Sequence, residues 1–343
     1  MGEKLNTRVL KTKNNVLQLG KKTLLMGIVN VTPDSFSDGG KYYASEKAVE
    51  HAVSLLDEGA HIIDIGGEST RPNAVLVSAE EEIARIIPVI EGVLNAVPAA
   101  IISVDTWKAK VAAAALAAGA QIVNDITGLF GSKEMAAVIA QNQAAVILMH
   151  NPLLYLPEDQ ITGNFPAFPA PGLPAEIAAG LRLQDLTGAN TLYLETGIER
   201  ALLAGVDPES IVIDPGLGFG ISSSDSLELL QSLDKMTALG YPVLIGASRK
   251  RFVKNLLSAG MGGNFEESFV RTPFTEGRTS SFGAFNKEAV KDEADQNMIE
   301  DGTGAVSVYA VLKGADIIRV HDIRRQRAFV IMADALKNAA KTL

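Results

Sequence analysis

The sequence predicts an α/β fold, a (β/α)8 TIM barrel with an N-terminal β-hairpin and a polar insertion before the seventh main helix. Three observations lead there. Eight short runs rich in Ile, Val and Leu recur at 24–31, 61–66, 100–105, 121–125, 144–150, 210–214, 242–246 and 315–320, each the length of one strand. Helical patterns lie between them, so successive strands are joined by crossovers and pair in parallel. The 343 residues suffice for one barrel of about 250 residues with insertions. An open doubly wound sheet is the structural alternative.

The elements follow in order within one domain, 1–343. Residues 1–23 hold two short β-like pieces around Asn14-Asn15, a hairpin turn. The first helix is expected from Ser45, a capping residue, to Gly59, a stop. Further helices are expected at 79–96, 108–118, 133–141, within 174–205, and at 222–239, 302–313 and 325–340, with a short one near 250–259. Gly-Ala pairs at Gly59, Gly119 and Gly314 suit the return from helix to strand. Two segments break the rhythm. Residues 151–173 are rich in Pro and aromatics and read as a long loop after the fifth strand. Residues 261–298 are polar and charged, with Phe265, Phe269, Phe274, Phe282 and Phe285 sparsely placed, and read as a flexible insertion, either a tolerated disordered segment or a mobile flap.

Composition narrows the class. Hydrophobic residues make up 47% of the chain, enough for a large core, yet no apolar run approaches the roughly 20 residues needed to span a bilayer. The beginning, Met1-Gly2-Glu3-Lys4-Leu5, lacks the apolar centre of an export signal, so a cytoplasmic location is expected. Zero cysteines exclude disulfides, thiolate nucleophiles and Cys-ligated zinc. A net charge of −9 argues against nucleic acid as a partner, so any bound anion must meet local positive charge.

The ends of the strands carry the chemistry. The first ends in Asn30, the second in Asp64 followed by Gly66-Gly-Glu-Ser-Thr-Arg-Pro, the third in Asp105 and the fourth in Asn124-Asp125. The fifth ends in His150, the sixth in Asp214-Pro-Gly-Leu-Gly-Phe-Gly, the seventh leads to Ser248-Arg-Lys-Arg, and the eighth ends in Arg319-Val-His321. A parallel barrel brings all of these to one mouth, where active sites of this architecture lie. Taken singly, Asp64 and Asp125 read more readily as caps or satisfied rim carboxylates, His150 as a packed histidine, and Thr70-Arg71-Pro72 as a solvated turn. As a set they sort by charge. Arg71, Lys250, Arg319 and His321, with Thr70, suit phosphate or carboxylate oxygens. Asp105, Asn124 and Asp214 suit the N–H and amino groups of a heterocycle. Asn30 offers a carbonyl oxygen to a hard cation.

These motifs, with Asn30-Val-Thr-Pro-Asp-Ser-Phe-Ser-Asp-Gly-Gly, Ser103-Val-Asp-Thr and Ile318-Arg-Val-His-Asp, resemble the dihydropteroate synthase family in order from about residue 24 to 340. The resemblance implies the condensation of 6-hydroxymethyl-7,8-dihydropterin diphosphate with 4-aminobenzoate in folate biosynthesis, with Mg²⁺ as cofactor and a homodimer as the assembly. It implies that Asp105, Asn124, Asp214 and Lys250 hold the pterin, Asp105 and Lys250 being the catalytic candidates. It places Thr70, Arg71, Arg319 and His321 on the diphosphate, Asn30 on Mg²⁺, and Phe36, Pro72 and Phe219 around the aminobenzoate. The chain departs from the family at Leu217, where many relatives carry Phe, at Arg251, where some carry Ser, and at Asn73, where Gly is common.

A diphosphate leaving group needs its charge neutralised as it departs, which the basic residues and a cation supply. On this reading Arg319→Ala and His321→Ala weaken the diphosphate substrate and spare a neutral pterin. Two rival readings share the barrel. A methyl-transferring pterin barrel needs the acids but not the basic set, and a catalytically silent pterin-binding barrel needs neither set complete.

Overall fold

The computed structural model describes residues 8–32, 40–261 and 296–339. Phe36 and nearly all of the 261–298 insertion lie outside the described residues, and so does 340–343.

The N-terminal hairpin is present: β1 (Val9–Lys11) pairs antiparallel with β2 (Val16–Gln18). The barrel strands are β3 (Leu24–Asn30), β4 (Ile62–Gly66), β5 (Ile102–Asp105), β6 (Ile122–Asp125), β7 (Ala145–Met149), β8 (Ile211–Asp214), β9 (Leu244–Ile245) and β10 (Ile317–Val320). They form one parallel sheet in the order β8-β7-β6-β5-β4-β3-β10-β9. A parallel bridge between Ile213 and Val243 joins its two ends and closes the ring. Closure excludes the open doubly wound sheet. The runs are apolar on both faces because the strands pack on an interior and on helices alike.

Alternation along the strands decides which side chains look into the barrel. Leu24, Met26, Ile62, Ile122, Ile147, Val212 and Ile317 form an inner core, to which the hairpin adds Leu10 and Leu19. Leu25, Ile63, Val104, Val146, Ile213 and Val320 belong to the outer core that faces the helices.

The helices are α1 (Gly40–Asp57), α2 (Ala79–Ala96), α3 (Ala109–Ala117), α4 (Met135–Gln141), α5 (Ala175–Arg182), α6 (Leu186–Leu203), α7 (Ser223–Gln231), α8 (Leu233–Thr237), α9 (Arg251–Met261), α10 (Gln296–Leu312) and α11 (Ile323–Ala339). Two expected helices are split. Asp185 restarts the 174–205 stretch by accepting the Gly188 N–H at 2.6 Å, and Ser232 ends one helix and begins the next within 222–239. Helix α10 begins by Gln296, a turn and a half before Gly302. Among the described residues no helix is long and apolar enough to cross a membrane.

Candidate active site

Continuing the alternation past each inner-core residue places the rim. Asn30 shares its face with Leu24 and Met26, Asp64 with Ile62, and Asn124 with Ile122. Asp105 follows Ile101, Asp214 follows Val212, and Arg319 and His321 follow Ile317 on the inner face. Asp125 and His150 fall on the outer face, with Val123 and Val146.

Their contacts agree. The Asp125 carboxylate accepts from the Thr127 N–H at 2.8 Å, the Thr127 hydroxyl at 2.6 Å and the Leu129 N–H at 3.0 Å. It caps the turn after β6, and burial, opposed by these bonds, pushes its carboxyl up to about 6. His150 is fully buried, with Nε2 2.9 Å from the Tyr155 hydroxyl and Nδ1 3.3 Å from the Pro215 carbonyl. Burial lowers its imidazole to about 3, so it is neutral packing, as the sequence suggests.

At the centre of the mouth Arg319 bridges two strands. Its Nε donates to Asp64 Oδ2 at 2.6 Å and its Nη2 to Asp105 Oδ2 at 2.6 Å. Asn124 Nδ2 donates to the same Asp64 oxygen at 3.1 Å. Asp64 is fully buried, and among the described residues its Oδ1 has no hydrogen-bond partner. Of the two readings the sequence offers for Asp64, a cap or a satisfied rim carboxylate, the structure bears out the second, with partners the sequence does not name. Asp64 holds both Arg319 and Asn124, and only its inward register, shared with Asp105 and Asn124, signals this. Burial, partly offset by Arg319 and reinforced by Asp64, pushes the Asp105 carboxyl up to about 7.

The other wall is built from β8 and the residues after β9. Asp214 accepts the Gly216 N–H at 2.8 Å, and burial, opposed by Lys250, raises its pKa. Lys250 donates to the Leu217 carbonyl and lies 5.0 Å over the Phe219 ring. Burial, opposed by Asp214, lowers its ammonium to about 8. His321 Nδ1 is 2.9 Å from Ser248 Oγ. Burial, with Arg249, Arg319 and Arg71 nearby, lowers this imidazole to about 3.

The loop between β4 and α2 carries Thr70 and Pro72, both half-buried, and the exposed Arg71. Asn73 has a positive φ of 66°, a conformation open to Asn and Gly, which accounts for the type of residue found there. Its N–H donates to the Asn164 carbonyl at 2.6 Å, and Asn164 Nδ2 donates to Asn73 Oδ1 at 2.9 Å. The long loop after β7 thus meets the β4 loop. It also reaches the far wall, where Phe165 stacks on Phe219 at 5.9 Å and Arg251 Nη2 donates to the Thr162 carbonyl at 3.2 Å.

The mouth therefore gathers Asn30, Asp64, Asp105, Asn124, Asp214, Lys250, Phe219, Arg319 and His321, while Thr70, Arg71 and Pro72 stand on the loop above. Phe36 lies outside the described residues. Among the described residues no three His, Asp or Glu side chains form a metal cage.

Comparison with known proteins matches residues 26–321 to the pterin binding enzyme family. The dihydropteroate synthase of Bacillus subtilis is 40% identical over 334 residues, covering 97% of this chain and 95% of the relative. That of Synechocystis is 37% identical, covering 92% and 91%. Among solved structures, a dihydropteroate synthase from Clostridium difficile in the presence of pteroic acid superposes with a TM-score of 0.72 at 34% identity, covering 93% of this chain and 98% of that one. The Xanthomonas albilineans dihydropteroate synthase with 4-aminobenzoic acid gives 0.71 at 33%, covering 97% and 99%.

Proposed function

The chain belongs to the pterin-binding enzymes, among the dihydropteroate synthases, and from that premise we propose that its barrel mouth binds a pterin diphosphate across the Arg319 bridge and transfers the pterin methylene to 4-aminobenzoate. The carrying observation is the shared inward register of Asn30, Asp64, Asp105, Asn124, Asp214, Arg319 and His321.

Asp214, Asn124 and Asp105 face the ring N–H and amino groups with acceptors, and Lys250 donates from the side of Phe219. The ring slides into a slot whose carboxylates are already positioned, so binding reorganises little. His321, held at Nδ1 by Ser248, turns Nε2 to the diphosphate alongside Arg71 and Thr70. As the C–O bond breaks, its electron pair leaves with the diphosphate; Arg71 offsets the charge, while Thr70 and the neutral His321 donate hydrogen bonds to it. The electron-rich pterin carries the positive methylene until the amine attacks. The C–N bond then forms and the amine gives up one proton. Phe219, Pro72 and Phe36 are assigned to the aminobenzoate slot, where excluding water protects the cation.

Mg²⁺ fits the donor set. A magnesium ion bound through substrate phosphates needs only one or two protein oxygens, and Asn30 supplies a neutral amide oxygen on the inner face of β3, the strand that pairs with β10 of Arg319. When bound, the ion would neutralise the departing diphosphate.

The purified protein, given pterin diphosphate and labelled 4-aminobenzoate, is expected to form dihydropteroate only with Mg²⁺. Asn30→Ala is expected to raise the Mg²⁺ concentration for half-maximal rate. Product formation that ignores Mg²⁺ removes the metal from the scheme. A folded protein that binds pterin and makes no product at any Mg²⁺ concentration points to a silent barrel.

A further inference from the structure

The β4 loop, 67–77, brings Thr70 and Arg71 to the mouth, yet its stem is held by groups the reaction does not use. Glu68, two residues before Thr70, has a side chain only 3% exposed. Its Oε2 accepts from the Val77 N–H at 2.8 Å and from Lys108 Nζ at 2.6 Å, and its Oε1 accepts from Trp107 Nε1 at 2.8 Å. Lys108 spends its other two ammonium protons on the Val77 carbonyl at 2.8 Å and Glu82 Oε2 at 2.7 Å. At the far end of the loop the Val77 N–H is thereby tied to Glu68 at the near end, and the Val77 carbonyl to Lys108, the partner of Glu68.

Two further contacts seat the stem on α2. Arg85 donates to the Gly67 carbonyl at 2.7 Å. A Cβ at Gly67 would stand 2.8 Å from Ile86 Cγ2 and 3.1 Å from the Glu82 carbonyl, so the backbone lies directly against the helix.

A buried ion cluster is a poor device for stability alone, since apolar replacements of similar volume often do as well or better. It is a good device for fixing one loop geometry, because removing any partner strands a charge. We propose that Glu68 and Lys108 are positioning residues: their buried cluster clamps the stem of loop 67–77 and so holds Thr70 and Arg71 where the diphosphate is bound. This rests on the assignment of Thr70 and Arg71 to the diphosphate.

The test compares Glu68→Gln, Lys108→Met, Trp107→Phe and the control Arg71→Ala. Calorimetry gives the affinity for a phosphate-free pterin and for the pterin diphosphate, and steady-state kinetics gives kcat/KM. Displacement of the loop by about 1 Å is expected to lower kcat/KM for the diphosphate substrate by roughly 10- to 100-fold in Glu68→Gln and Lys108→Met. The phosphate-free pterin, held by other strands, keeps its affinity within about twofold. If those two variants do not fold, Trp107→Phe removes one donor to Glu68 and keeps the ring, and a smaller loss with the same selectivity is expected. Equal losses for both ligands make the cluster a folding device and overturn the proposal. Wild-type behaviour of the Glu68, Lys108 and Trp107 variants beside an impaired Arg71→Ala overturns it as well. A wild-type Arg71→Ala sinks the diphosphate assignment, and the proposal with it.

Discussion

Arg319 shows at the scale of one residue what sequence can and cannot reveal. Its inward direction beside His321 was legible, because alternation with Ile317 fixes it. Its partners were not, because Asp64 and Asp105 lie 255 and 214 residues away along the chain. From the strand alone, Arg319→Ala should spare a phosphate-free pterin. The structure gives a different expectation. Without the guanidinium, Asp64 and Asp105 become neighbouring carboxylates with no cation between them, a change on the order of 3 kcal/mol for a buried pair. Arg319→Ala is therefore expected to weaken the phosphate-free pterin too, with the diphosphate substrate losing more. Calorimetry with both ligands checks this, and an unchanged affinity for the phosphate-free pterin would restore the simpler division into an anion set and a ring set. The same limit explains Asp64. Its type and position were visible, but its role depends on which side chains converge on it, and no local pattern encodes that.

At the scale of the element, the barrel was legible wherever a strand is a continuous apolar run, and β3, β4 and β8 lie within or beside their expected limits. It was least legible at β9, expected over 242–246 and regular only at Leu244–Ile245. There the ring is completed by a single bridge from Val243 to Ile213. Helix breaks at Asp185 and Ser232 escaped because each interrupts an apolar pattern that continues on both sides. The turn leaving β8 is different, since its glycines announce it. Gly216 has φ 73°, and a Cβ there would stand 1.9 Å from the His150 carbonyl oxygen. That turn carries Asp214 into its bond with the Gly216 N–H and sets Leu217 to receive Lys250. Gly216→Ala is expected to destabilise the fold by at least about 2 kcal/mol from left-handed strain and contact with backbone that cannot move aside. Pterin affinity should fall with it, while the diphosphate contacts proposed for the β4 loop and β10 change less. Urea unfolding and pterin titration of the variant check both parts, and a variant of wild-type stability would mean that the turn rearranges without penalty.

For the molecule as a whole, the charge buried at the barrel mouth works against the empty fold. Burial raises Asp105 and Asp214 and lowers Lys250, so each charged form is held against its solvation preference. Lys250 makes this measurable because its window lies above that of Asp105, which ends near 7. Its ammonium is lowered from 10.5 to about 8. Between those values the unfolded chain holds a proton that the folded chain has released, so stability must rise with pH across that window. Below about 8 both states are protonated and the folded state bears the full penalty of the buried charge. At 1.36 kcal/mol per pKa unit, wild-type protein should gain on the order of 2 kcal/mol relative to Lys250→Met between pH 8 and 10. Denaturant midpoints for the two proteins at those pH values test it; a constant difference would show that Lys250 titrates normally, and one that favours the variant as pH rises would show an ammonium held above its ordinary value. Pterin binding should move the other way. In the proposed binding mode the protonated ammonium donates to the ring, so affinity and kcat/KM are expected to fall through about pH 8 while the empty protein grows more stable. Opposite trends in one molecule over one pH range would show that the charge which weakens the empty fold is the charge the ligand uses.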